Sequence, residues 1–288
     1  MVVTQIIIDW THLFVFALAI GFLLHEVGLI SLGHAGMVLV GAYGCGFLLT
    51  QQLSVPMTFA GALVLSAVLA GVTLAVREDV FAVVSLAFAM IVHRTILGSV
   101  SMTGGALGYG PIPRSEFLGS DLGAITVGLG MSVVAIAMYC TVCRLPIGVS
   151  LGGIRDCEIA VQSLGVHTRW LVFVVVMITA AIAASVGILQ ALYYGLATPR
   201  MGMLDVTLQG LAAAVLAKPV WKQGRPEVTV LGLATASALL VALPPLLRTV
   251  ITGDVTEAVA RQALFGLALY LLVHPSWRRM NRPVENRE

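Results

Sequence analysis

Residues 144–169, RLPIGVSLGGIRDCEIAVQSLGVHTR, decide how the chain is read, because a polar, charged interval here interrupts a sequence that is otherwise nearly all apolar. Arg155, Asp156 and Glu158 precede Ile159, Ala160, Val161, Leu164 and Val166, so apolar side chains recur at helical spacing, as on an amphipathic helix. Gly165 is placed to stop that helix. A short helix with a charged start, lying between two membrane spans, is what a membrane subunit presents to a soluble partner. A docking element is therefore expected over 144–169.

Working outward, 59% of the 288 residues are hydrophobic and 10% charged, with a mean hydropathy of +1.00. A soluble domain carries roughly 25% charged residues. At about 20 apolar residues per crossing, the length predicts roughly eight to ten membrane-spanning or partly broken helices. The fold class expected is all-α, a polytopic helical membrane protein, with residues 1–288 forming one transmembrane domain. The apolar runs are long and lack the alternation of barrel strands, so helices satisfy the backbone in lipid. Met1 to Gln5 carries no basic segment, so the first span is expected to be retained. The net charge of +2 sits in loops and the tail, which argues for membrane orientation and against nucleic acid as a partner. Cys45, Cys140, Cys143 and Cys157 lie mostly in or beside apolar runs, so no disulfide framework is expected.

Spans are predicted at 3–24, 27–50, 55–76, 80–97, 122–143, 170–194, 206–217, 228–247 and 262–274. The second, with Gly28, Gly33, Gly36, Gly41, Gly44 and Gly46, reads as a broken or closely packed helix. Between the fourth and fifth spans, the glycines and prolines of 101–121 forbid a regular helix, so that loop lies outside lipid or lines a cavity. If 144–169 is cytoplasmic and 206–217 crosses, then Arg77, Lys218, Lys222, Arg225 and the basic tail at 276–288 fall on the same side, as the positive-inside rule requires. The 101–121 loop then falls outside.

Gly148-Val149-Ser150-Leu151-Gly152 fits the GxSxG pattern of hydrolases, which would make this an intramembrane serine hydrolase. No strand precedes it and no His and Asp set follows, so Ser150 is expected in a loop or at a helix cap. Cys140 and Cys143 form a CxxC that ends an apolar helix, without a second pair or a neighbouring histidine, and no metal site is proposed. His34, in SLGHAG, needs a partner or water, and marks either a pathway or a bridge between helices. The pairs Ala42/Gly46, Ala67/Gly71 and Ala183/Gly187 let helices approach closely. No GxxxxGK[ST] motif occurs, and no ladder of charges such as an ion-coupled carrier needs. The chain is thus expected to hold no cofactor and no catalytic residue, and to draw energy from a separate motor.

Five segments, in order, resemble the M-type permease subunit of branched-chain amino acid ABC importers, a family that also serves urea and short amides. Gly28 to Gly36 with Gly41-Ala42-Tyr43 is similar to the family's SLGHA and GAY signature, and Val84 to Val92 to its following span. Thr103-Gly104-Gly105 to Pro113 resembles its TGG…IP loop, Ile154 to Ala160 with Leu164-Gly165 its coupling segment, and Leu243 to Arg248 its late LPELLR turn. The chain departs from the pattern over 210–232, where Lys218, Lys222 and Arg225 stand in a region that is glycine-rich in the family. The resemblance implies a multi-pass subunit of the bacterial inner membrane that pairs with a second permease, usually a related one. Two cytoplasmic ATPases would consume the ATP, and an external binding protein would deliver the solute. Arg155, Asp156, Glu158, Ala160 and Gly165 would seat in the ATPase groove, and Ser31, Gly33, His34, Gly104 and Gly105 are candidates for the translocation path. A ribose-type sugar permease and a structural assembly protein remain as alternatives.

Overall fold

The computed structural model describes residues 2–52, 54–75, 78–114, 116–217 and 225–250, with 263, 266 and 270. The expectations placed on Arg77, Lys218 and Lys222, on the 276–288 tail and on nearly all of the 262–274 span lie outside the described residues. The described residues form a helical bundle: α1 (Val2–Phe22, continued by a π turn at Leu23–Val27), α2 (His34–Thr50), α3 (Val55–Ala75), α4 (Glu78–Gly98), the one-turn α5 (Val100–Thr103) and α6 (Glu116–Gly119), α7 (Asp121–Arg144), α8 (Pro146–Ser163), α9 (Thr168–Tyr194), α10 (Leu204–Ala217) and α11 (Pro226–Val250). Among the described residues no strand forms; the one extended pairing is an isolated bridge between Tyr109 and Ala197. Val3–Val27, Val80–Gly98, Asp121–Arg144 and Thr168–Tyr194 are long and apolar enough to cross a membrane, and shorter apolar helices stand beside them.

The two central helices are α1 and α9, mostly buried along their length, whereas α4 and α7 lie at the periphery with apolar side chains such as Ile91 and Val133 exposed. Lipid tails solvate such a surface as well as a protein core does, so helix association here depends on close packing. That packing is tightest where α2 crosses α9. A side chain on Gly41 would run into the Ala184 carbonyl, and one on Gly187 into the Val38 carbonyl. Gly187 meets Ala42 as well at this contact, whereas Gly46 faces Tyr109 and Ile112 and a Cβ on Gly71 would find nothing within 4 Å, so those two glycines take no part in the crossing.

Two elements differ from expectation. The polar helix starts at Pro146 and not near Arg155, because proline at the first helical position has its fixed φ already suited to a helix start; it bends at Cys157, whose backbone is non-helical (φ −163°, ψ 95°). Leu243–Arg248, read as a turn, is helical within α11, as proline-containing helices in membranes can be when neighbours satisfy the freed carbonyls.

Candidate functional site

Both ends of the bundle can be placed from α8. The end of α1, the end of α7 and the start of α9 gather beside it, and the start of α11 joins them through an Arg144–Glu227 ion pair at the surface. The opposite end holds the start of α1, the start of α7, the end of α9 and the 104–114 loop, joined by Tyr193 Oη donating to Asp121 Oδ1 (2.9 Å) and Arg114 Nη1 donating to the Leu192 carbonyl (3.0 Å).

Of the residues assigned to ATPase coupling, Arg155 turns inward. Its Nη1 donates to the His25 carbonyl at 2.6 Å, its Nε to Asp156 Oδ1 at 3.0 Å, and its side chain is only 19% exposed. The His25 carbonyl is available because the α1 helix relaxes into a π turn and then ends at Gly28 with φ +84°. Gly28 serves a second purpose there: a Cβ would sit 2.8 Å from Arg155 Cγ. Glu158 is also engaged internally, its Oε1 accepting from Thr168 Oγ1 (2.6 Å) and Gln162 Nε2 (2.8 Å), which ties the end of α8 to the start of α9. Asp156, Ile159, Ala160, Leu164 and Gly165 are exposed, Gly165 with φ +82°, while Leu151, Ile154 and Val161 are buried beneath. The helix therefore has an inner root and an outer face.

The root continues inward. Glu26, beside His25, is buried and accepts from Tyr139 Oη of α7 at 2.7 Å, while the Tyr139 ring meets Phe22 edge-on at 5.1 Å. The His25 ring Nε2 lies 2.9 Å from the Ala214 carbonyl, and since a carbonyl only accepts, that nitrogen carries the proton. Sequence reading missed Glu26 and Tyr139; a carboxylate inside an apolar run was the available signal.

Beyond Gly28 the chain is non-helical to Gly33, and the Leu32 amide donates to Ser85 Oγ of α4 (3.0 Å). Ser31 and His34 are wholly buried. His34 Nε2 lies 3.1 Å from Thr179 Oγ1, whose own hydrogen goes to the Val176 carbonyl, so His34 is the donor there and its Nδ1 accepts from Ser31 Oγ at 2.7 Å. This is a neutral imidazole bridging the start of α2 to the middle of α9. Gly104 and Gly105, both with positive φ, belong to the loop at the opposite end. None of Ser31, Gly33, His34, Gly104 and Gly105 lines the cavity of about 1040 Å³ that opens between α1, α9, α10 and α11.

Ser150 lies inside α8 and its hydroxyl turns back toward the Pro146 carbonyl at 3.4 Å, so the strand-to-helix elbow of a hydrolase does not exist here and the loop or cap position expected for it is corrected. All four cysteines are free, and among the described residues no cluster of His, Cys, Asp or Glu could hold a metal ion.

A bundle of apolar helices, tied by a few buried polar bonds and carrying one amphipathic helix at its end, defines a polytopic α-helical membrane protein. The chain belongs to the family described as branched-chain amino acid transport system, permease component, whose model matches residues 2–273. It is 26% identical over 225 residues to the high-affinity branched-chain amino acid transport system permease protein LivM of Escherichia coli K12, a match covering 66% of this chain and 52% of that protein. The LivM of Salmonella typhimurium LT2 gives the same identity and coverage. The chain thus spans about half the length of the curated relatives it matches. In fold it is similar to PsaBC from Streptococcus pneumoniae in complex with Fab, with a TM-score of 0.51 at 12% identity, over 91% of this chain and 89% of that one.

Proposed function

We propose that this chain is the permease subunit of an ATP-driven importer for branched-chain or related small amino acids and amides, seated in the inner membrane with α8 on the cytosolic side. It works beside a second permease subunit, two ATPases that grip α8, and an external binding protein that faces the 104–114 loop. The observation that carries the reading is the two-sided build of α8: an outer face of Asp156, Ile159, Ala160 and Leu164 without cover in the single chain, over an inner root fastened to α1 and α9 through Arg155 and Glu158. A partner that displaces such a helix moves the ends of two central helices with it. In this mechanism ATP-driven closure shifts α8, and the π turn and the α1–α2 break transmit the shift to the spans around the path.

Cys157, the one exposed cysteine among the described residues, supplies the test without any engineering. A membrane-impermeant maleimide should label it in inside-out vesicles and not in intact spheroplasts, and added ATPase subunits should protect it. Labelling from the outer face, or no protection, would remove the coupling role. Transport itself is read as binding-protein-dependent uptake of labelled leucine by the reconstituted complex.

A further inference from the structure

The cavity between α1, α9, α10 and α11 lies at the end of the bundle away from α8, and its wall is graded. Each helix contributes one face: Gln5, Asp9 and His12 recur at four- and three-residue spacing on α1, Gln190 lines it from α9 and Gln209 from α10, and Arg200 comes from the 3₁₀ turn Pro199–Gly202. Further along α1 the lining becomes apolar at Phe16, facing Val38 and Val186 across the cavity. From Gln5 to Phe16 the rise along α1 is roughly 16 Å. The rim thus carries two opposite charges and several amides among apolar residues such as Ile6 and Leu196, while the inner end is hydrocarbon.

The polar rim is organised. Gln5 Nε2 donates to Asp9 Oδ1 at 3.0 Å and to Tyr194 Oη at 3.2 Å, so the carboxylate of Asp9 is held in place by its neighbours. His12 is 5% exposed, and its Nδ1 has no hydrogen-bond partner among the described residues. An aliphatic acyl chain would not use a charged, amide-rich rim, and a sugar, although its hydroxyls can bond to Asp9 and Arg200, has no aliphatic side chain to fill the inner end. An amino acid with an aliphatic side chain uses all three features.

Resting on the importer reading above, we propose that this single-chain cavity is a binding site for a zwitterionic amino acid with an apolar side chain, Asp9 receiving the ammonium, Arg200 the carboxylate, and the Phe16–Val38–Val186 floor the side chain. The amides of Gln5, Gln190 and Gln209 can each donate and accept, and they complete the polar shell.

The test uses the whole complex in proteoliposomes, with L-leucine as probe and 4-methylpentanoate (no ammonium), isopentylamine (no carboxylate) and ribose as competitors. The proposal expects wild-type uptake to resist all three competitors. It expects Asp9→Asn and Arg200→Gln each to lower leucine uptake at subsaturating concentration by about tenfold to hundredfold, the size of one charge-assisted hydrogen bond. Arg200→Lys should recover part of the loss, and Val186→Trp should abolish uptake by filling the floor. Should Asp9→Asn fail to copurify with the ATPases, Gln209→Leu on the facing wall replaces it, with a smaller loss expected. Wild-type leucine uptake that none of these variants reduces would overturn the site and leave the importer reading standing. A wild-type complex that hydrolyses ATP yet carries no leucine, or carries ribose in its place, would overturn the importer reading and the site with it.

Discussion

Arg155 owes its setting to a backbone carbonyl on a different helix. The resemblance places it against an ATPase, whereas its guanidinium reaches the His25 carbonyl. Removing it in Arg155→Ala leaves that carbonyl without its charged donor, and we expect the purified complex to lose about 1.5–3 kcal/mol of stability, read by thermal unfolding in detergent. Gly28→Ala should do comparable harm by a different route, about 1–2 kcal/mol from the left-handed backbone alone, with Arg155 displaced as well because the new methyl would meet its Cγ. If Gly28→Ala melts like the wild type, the clamp does not exist. Glu158 and Thr168 form the second anchor. Their single substitutions, Glu158→Ala and Thr168→Ala, should be non-additive, with an interaction of about 0.5–3 kcal/mol in a double-mutant cycle; additive losses would show that the bond is not made. Neither anchor is legible from spacing, since each depends on which way one side chain points once the helix has packed.

The crossing of α2 and α9 is an element-scale device, and it separates glycines that look alike in sequence. Gly41 and Gly187 each face the opposing backbone, so Gly187→Val should destabilise by more than about 2 kcal/mol through separation of the two helices. Gly44, in the same α2, has open space where a Cβ would stand, with no atom within 4 Å, and Gly44→Ala should be neutral or stabilise by up to about 1 kcal/mol. Thermal melts of the two variants side by side decide the matter, and equal losses would refute the geometry. The small-xxx-small pattern pointed to this contact but could not say which pairs met. The same holds for His34, whose sequence setting left a pathway and a bridge open. Its bonds to Ser31 and Thr179 make it a bridge that fastens the α1–α2 break to mid-bundle, at a depth of roughly 16 Å along α9 from its α8 end. Only a partner from a distant part of the chain could show that.

Across the whole molecule, α8 and the 104–114 loop occupy opposite ends of the helices, which gives the membrane orientation a direct check. Leu107 in that loop is 88% exposed. In a Leu107→Cys variant, an impermeant maleimide should modify residue 107 from outside and Cys157 only from inside; both on one side would break the proposed arrangement. The peripheral apolar faces of α4 and α7 require lipid or a second subunit, so the chain should stay in the membrane fraction after carbonate extraction, and its release would contradict a spanning bundle.

Composition and the length of the apolar runs were enough to determine an all-helical membrane protein, because hydrocarbon admits only backbones that satisfy their own hydrogen bonds. The polar interval at 144–169 likewise announced a helix outside the run of spans, and its glycine stop at Gly165. What only the tertiary structure decided was which residues meet: Arg155 with His25, Glu26 with Tyr139, and the glycines of α2 with the backbone of α9. It also decided that Asp9, Arg200 and three glutamines from separate elements share one cavity. The reason is rotational. Nearly every face of these helices is apolar, so hydropathy cannot say which face turns inward, and that choice is made by steric fit and a few buried polar bonds between residues far apart in the chain.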